Sequence, residues 1–261
     1  MTPKSERDFP LHYARLNDEL KDWQRPRLKA QFISRYDTPL LQLLLQKPDG
    51  PFKDIDATII KDDAKTSLAL TSFDGRQFVI KRYNIKNLFH RVRLIFKPAR
   101  AKNNFFFARR LGSVGINAVR PVAWVQEIRL GLRARSWFIY EHVDDATCAD
   151  TLTDASDPTV VDRVIQTVTE NLSKMREHLL SHGDMKPSNI LVTSDEVVLL
   201  DLDAMRQHRS LLKCEKALGK DVTRWMRWWR TDRPQPGICD KAQTLLIQAG
   251  FQVPNEKSLT R

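Results

Sequence analysis

Two short stretches carry the residues best able to do chemistry: His182-Gly-Asp-Met-Lys-Pro-Ser-Asn189 and Val197-Val-Leu-Leu-Asp-Leu-Asp203. The first puts Asp184, Lys186 and Asn189 on one tight loop, with Pro187 breaking any regular element. The second is an apolar run that ends in Asp201. Together they offer a base, a cation and two oxygen ligands. Phosphoryl transfer from a nucleotide needs such a set. The Asp184 carboxylate can orient an attacking hydroxyl, and Lys186 can balance charge on the moving phosphoryl group. The Asn189 amide and Asp201 carboxylate suit Mg²⁺, a hard ion that also binds phosphates. Asp203 stands two residues on, as a further metal contact or as a loop hydrogen-bond acceptor. His182 reads as a brace for the loop rather than an acid or base.

These residues need a helix before them and strands around them. Residues 159–181 place Val160, Val161, Val164, Ile165, Val168, Leu172, Met175, Leu179 and Leu180 at spacings of three and four, which predicts a long amphipathic helix. Ile190–Val192 and Val197–Leu200 read as short strands, and the chain after Met205 reads as helical. Upstream, the pattern is strand-rich. Ala57–Ile60, Ser67–Ser72, Gln77–Tyr83, Val119–Glu127 and Arg135–Val143 are expected strands, and Asp74-Gly75 is a hairpin signal. Phe105–Leu111 reads as helix, as does Thr38–Gln46, which the turn residues Lys47–Pro51 end. A helix or two is expected within residues 1–35. The resulting division is an extension over 1–52, a strand-rich lobe over 53–142 and a helical lobe over 143–261.

The pattern H-x-D-x-K-x-x-N, followed by an apolar strand ending in Asp, resembles the core of the protein-kinase-like superfamily. That resemblance implies a bilobal α+β fold with its active site in the cleft. It also implies that Lys81, in Phe78-Val-Ile-Lys81, contacts the nucleotide phosphates. Trp137–Val143 resembles the strand into the hinge, where backbone groups around Glu141 and Val143 would meet adenine. Lys61-Asp-Asp-Ala-Lys-Thr-Ser67 stands where a glycine-rich phosphate loop would be, yet it has no glycine. Thr66 and Ser67, through amides and hydroxyls, are the candidates there.

Gly183 replaces the arginine of many protein kinases, no A-P-E follows Asp201, and Asp203 replaces the usual glycine. With Val79-Ile-Lys-Arg-Tyr-Asn84 and Arg224-Trp-Met-Arg-Trp-Trp229, these traits resemble the lipopolysaccharide core kinases over roughly residues 55–230. The family implies ATP and Mg²⁺ as cofactors and a heptose or Kdo sugar of the core as acceptor. It further implies work at the cytoplasmic face of the inner membrane. The strand lysine of active kinases pairs with a helix Glu, yet no Glu lies between Lys81 and Glu127; Asn103 and Asn104 stand in that region. Rival readings are a kinase of another small molecule or of protein, and a non-catalytic scaffold.

The 261 residues carry 43 Lys and Arg against 32 Asp and Glu, a net charge of +11. Residues 75–126 hold twelve of those cations and no acid, leaving the rest of the chain near balance. Such a field attracts polyanions. Phe89, Phe96 and Phe105–Phe107 interleave with the cations. That favours an anionic membrane over nucleic acid, which is not expected as a partner. The phenylalanines could equally be helix core. The Trp and Arg residues of 224–230 fit a membrane interface, a sugar-phosphate surface or simple packing. Three scattered cysteines without CxxC give no disulfide framework. No signal peptide and no run of about 18 apolar residues is visible, so a cytoplasmic chain, peripheral on the membrane, is expected.

Overall fold

The computed structural model describes residues 19–54, 57–73, 75–84 and 99–254. The chain divides into two compact units, one of residues up to 115 plus 120–142, the other of residues 116–119 plus 143 onward. The first unit is built on an antiparallel seven-stranded sheet. Its strands are β1 (Leu20–Arg25), β2 (Leu28–Ile33), β3 (Thr58–Asp62), β4 (Thr66–Phe73), β5 (Arg76–Tyr83), β6 (Pro121–Arg129) and β7 (Leu132–Glu141). They lie in the order β1-β2-β6-β7-β5-β4-β3. Two helices accompany the sheet, α1 (Pro39–Gln46) and α2 (Arg100–Ser113).

Local chemistry explains most of these elements. Thr38 caps α1 by accepting the Leu41 amide at 3.3 Å, and Pro39 opens its first turn. Phe73 pairs with Arg76 across the expected hairpin, where Gly75 has φ +70°. Asp74 of that hairpin lies outside the described residues. A second tight hairpin turns at Leu130-Gly131, both at positive φ, and leaves Leu130 in solvent.

The segment expected to hold a helix or two differs. Residues 20–33 form the β1–β2 hairpin around Pro26-Arg27. β2 then pairs with β6, Leu28 opposite Glu127, and buries Ala30, Phe32 and Ile33. A partner about a hundred residues away decides this conformation, and proline at the turn bars the helix. Residues 1–18 lie outside the described set.

The second unit holds α3 (Pro158–Glu177), α4 (Leu211–Arg227) and α5 (Pro236–Gln248). Its short strands are β8 (Thr147–Cys148), β9 (Leu180–Ser181), β10 (Ile190–Val192), β11 (Val197–Leu199) and β12 (Arg206–Gln207). Asp157 caps α3 by accepting the Thr159 amide at 2.8 Å, and Val161, Val164, Ile165, Val168, Leu172 and Met175 form its buried stripe. The helix ends at Glu177, so Leu180 belongs to β9.

Burial decides two alternatives that the sequence leaves open. Phe105 and Phe107 are core residues of α2. Trp225 and Trp229 are 1% exposed and meet edge to face at 5.5 Å, so packing claims both. Phe89 and Phe96 lie outside the described residues. No described helix is long and apolar enough to cross a membrane.

Candidate active site

In the helical unit, the hairpin β10–β11 shapes the site around Asp184. Ile190 pairs with Leu199, and the Leu200 amide donates to the Asn189 carbonyl at 2.8 Å. Asn189 therefore stands beside the chain as it reaches Asp201. Asp201 sits at φ 54°, ψ 56°, a left-handed conformation unusual for a residue with a side chain. Asp203 lies in the single 3₁₀ turn that follows.

Asp184 is surrounded by donors. Asn189 Nδ2 reaches its carbonyl at 2.9 Å and its carboxylate at 3.2 Å. Lys186 Nζ lies 3.2 Å from Oδ2, and Arg224 Nε lies 3.5 Å from Oδ1. Arg224 also donates to the Gly183 carbonyl at 2.5 Å. The carboxylate remains partly exposed, so it is oriented without being closed off. Because Nδ2 of Asn189 is turned toward Asp184, its Oδ1 is the atom left for a cation. The Asn189 amide oxygen with the Asp201 and Asp203 carboxylates is a donor set whose chemistry fits Mg²⁺. No group of three or more His, Cys, Asp and Glu gathers as a metal site among the described residues.

The loop itself hangs from a residue the sequence reading passed over. Asp221, on α4, is fully buried. Its carboxylate accepts the amides of His182 at 2.9 Å, Gly183 at 2.9 Å and Met185 at 3.4 Å. His182 is also fully buried. Its Nε2 lies 3.0 Å from the Leu200 carbonyl, and its Nδ1 accepts the Asp184 amide at 3.3 Å. This pairing fixes the Nε2–H tautomer and makes His182 the expected brace. Gly183 has φ +83°, and a Cβ there would stand 2.6 Å from the Ala204 carbonyl oxygen. Sequence alone offered one signal for Asp221: an acid set among Leu218, Val222 and Trp225 on the buried face of α4. Arg224 was grouped with the Trp–Arg surface, and its place on Asp184 emerges only from the helix register.

The sheet unit holds its own candidate residues. Lys81 is 8% exposed, and its ammonium is 5.4 Å from the centre of the Tyr83 ring. The Arg100 guanidinium covers the same ring at 4.4 Å. Asn104, 1% exposed on α2, donates to the Tyr83 hydroxyl at 2.7 Å. Tyr83 thus links the strand lysine to the helix that lacks a Glu. Glu141 accepts the Tyr36 hydroxyl at 2.9 Å, and its amide donates to Arg120. Burial pushes the Tyr36 hydroxyl pKa up. Val143 opens the second unit. A cavity of about 290 Å³ lined by Tyr36, Leu41, Leu44, Phe78 and Ile139 lies on the sheet face opposite Lys81.

The glycine-free loop departs from the expectation. Asp63 accepts the amides of Lys65 and Thr66, each at 2.7 Å. The Thr66 amide first, then Lys61 and the Lys65 amide, hold the Asp63 carboxyl well below its usual range. The Ser67 hydroxyl bonds Asp62 at 2.5 Å and accepts from Arg82 at 2.9 Å and Asn84 at 3.1 Å, in a fully buried position. The Thr66 amide and Ser67 hydroxyl therefore brace the hairpin from within. Their neighbouring acids take the donors that glycine amides would offer a phosphate.

A sheet carrying a buried strand lysine, and a helical unit whose H-x-D-x-K-x-x-N loop precedes an aspartate at a left-handed bend, define a protein-kinase-like phosphotransferase. A solved structure described as WaaP in complex with acyl carrier protein shares this fold, with a TM-score of 0.58 at 14% identity, over 80% of this chain and 86% of that one. No curated protein matches the chain. The model of the Lipopolysaccharide kinase (Kdo/WaaP) family matches residues 65–234, and the chain belongs to that family of kinases.

Proposed function

We propose that this kinase transfers the terminal phosphoryl group of ATP to a hydroxyl of a heptose or Kdo sugar in the lipopolysaccharide core, at the cytoplasmic face of the inner membrane. The observation that carries the reading is Asp184, held by Asn189, Lys186 and Arg224 inside the segment that matches the family. In this reading Asp184 accepts the hydrogen of the acceptor hydroxyl and aims its oxygen. Lys186 offsets charge on the transferring group. Asn189, Asp201 and Asp203 hold Mg²⁺, which would neutralise the phosphate oxygens. Lys81 contacts the phosphates, and the backbone at Glu141 and Val143 meets adenine. Thr66 and Ser67 shape the loop above the phosphates. The basic window 76–120 adds positive potential that draws the chain toward an anionic membrane surface.

Only a single 3₁₀ turn and the two-residue β12 separate Asp201 from α4. That leaves little chain to seat a peptide and favours a sugar acceptor. The test is phosphate analysis of core sugars made with wild-type and Asp184→Ala protein. Loss of about 10²–10⁴-fold in transfer is expected, with folding intact. Retained transfer in the variant, or an unchanged core without the protein, overturns the reading.

A further inference from the structure

The basic window supplies less free charge than its count implies. Lys86, Arg91, Arg93 and Lys97 lie outside the described residues. Lys81, Arg109 and Arg110 are buried, Arg82 meets Asp49 and Asp62, and Arg120 meets Glu141. The second unit differs. Between Met205 and Lys220, Arg206, Arg209, Lys213, Lys216 and Lys220 are all exposed, and Glu215 is the one acid among them. None of the five has a carboxylate within salt-bridge distance among the described residues. At their centre, in the first turn of α4, Leu211 is 51% exposed and Leu212 is 78% exposed. The same helix buries Cys214, Leu218, Val222 and Trp225 on its other side, so core packing makes no use of these two leucines. Leu212, Lys216 and Lys220 follow one another at i, i+4 and i+8 along one face.

We propose that residues 206–220 form a docking wedge for an anionic lipid bilayer, with Leu211 and Leu212 entering the acyl layer and the five cations resting on lipid phosphates. Charge complementarity names the occupant: paired exposed leucines inside unopposed cations match the interface of an anionic membrane. The inference rests on the proposed function for its purpose, since the acceptor there is part of a lipid. The wedge is also tied to the chemistry. β12 pairs with β9, Arg206 opposite Ser181, immediately before His182. The His208 amide donates to Leu179 at 2.7 Å, the His208 ring meets the Ser181 hydroxyl at 2.8 Å, and Cys214 reaches the Leu180 carbonyl at 3.2 Å. A membrane that holds the wedge therefore fixes the height of the 182–189 loop above the lipid surface.

The test is co-sedimentation of the whole chain with phosphatidylglycerol–phosphatidylcholine vesicles and with phosphatidylcholine vesicles. A fluorophore on Leu212→Cys, in a Cys148→Ser background, reports insertion. Wild type is expected to bind the anionic vesicles, and the fluorophore to shift to the blue. Leu211→Ser with Leu212→Ser, and Lys213→Glu with Lys216→Glu, should each weaken binding at least tenfold without moving the unfolding midpoint. Transfer to a soluble core oligosaccharide should be unchanged in both. Asp184→Ala should bind vesicles as wild type does, so vesicle binding and the kinase reading fail independently. No binding by wild type, equal binding by the double variants, or an unshifted fluorophore overturns the wedge. An acidic protein that protects the fluorophore when vesicles do not would reassign this surface to a protein partner.

Discussion

In the helical unit the 182–189 loop is suspended from one buried carboxylate, whereas in the sheet unit Lys81 rests against an aromatic ring. Asp221 collects three backbone amides, and His182 adds two more fastenings. The Asp221 bonds are charge-assisted, and all five tie a buried side chain to main-chain groups. Lys81 instead lies near Tyr83, whose hydroxyl is held by Asn104. The ammonium is drawn to the face of that ring by the ring's quadrupole. The aspartate loop is thus fastened through its main-chain amides, whereas Lys81 meets Tyr83 through its side chain.

The sharpest way to break the contrast is Asp221→Ala. It strands three buried amides, so a loss of about 3 kcal/mol or more in unfolding free energy is expected. Chemical denaturation measures it, with phosphoryl transfer lost in parallel. Asp221→Asn should fall between, since one amide oxygen can still accept. A near-neutral Asp221→Ala would mean that the loop is held by its hairpin instead. Next in size is Gly183→Ala. A Cβ would press on the Ala204 carbonyl at 2.6 Å, and the left-handed φ disfavours it. A cost of about 1–3 kcal/mol is expected, with reduced kcat because the strain falls between Asp184 and the Asp201–Ala204 turn.

On the lysine side, Tyr83→Phe keeps the ring beneath Lys81 and removes only the hydroxyl that Asn104 reaches. About 1 kcal/mol of stability should go, with a rise of several-fold in KM for ATP and little change in kcat. Tyr83→Leu, which removes the ring too, should raise KM further. Equal effects in the two variants would show that the ring does not guide the lysine.

This contrast also explains what the sequence could disclose. The loop was legible because Asp184, Lys186 and Asn189 fall within six residues and Asp201 follows at a short interval. The hairpin at Asp74-Gly75, the cap at Thr38 and the stripe of α3 were legible because local chemistry decides them. The β1–β2 hairpin was not, because its register comes from β6, far along the chain. Asp221 was hidden for the same reason: its partners lie 36–39 residues upstream, and a lone acid in an amphipathic helix looks like a solvated one. Arg224 and Trp225 read as one Trp–Arg cluster, and only the helix register separates the buried ring from the guanidinium on Asp184. A count of charges is blind to direction in the same manner, since Arg109 and Arg110 of α2 are buried while Lys213, Lys216 and Lys220 of α4 are exposed.

The smallest effect concerns how the aspartate side responds to pH. His208 sits between the Ser181 hydroxyl and the neighbouring Arg206. Burial first, and then the Arg206 charge, hold its pKa below the ordinary 6.5, while Asp221 pulls weakly the other way. The unfolded chain therefore takes up the proton before the folded one does. This share of stability is complete above pH 6.5 and declines as pH falls below it. Unfolding midpoints of wild type and His208→Gln, followed from pH 7.5 to 5, should draw together as the solution is acidified, because the variant lacks this slope. Strand β9 carries His208 on one side and leads into His182 on the other. Acid should thus loosen the aspartate side first, and transfer should fall with pH more steeply in wild type than in the variant. If the two midpoints fall in parallel, the slope arises from another group and His208 is only a spacer between β9 and α4.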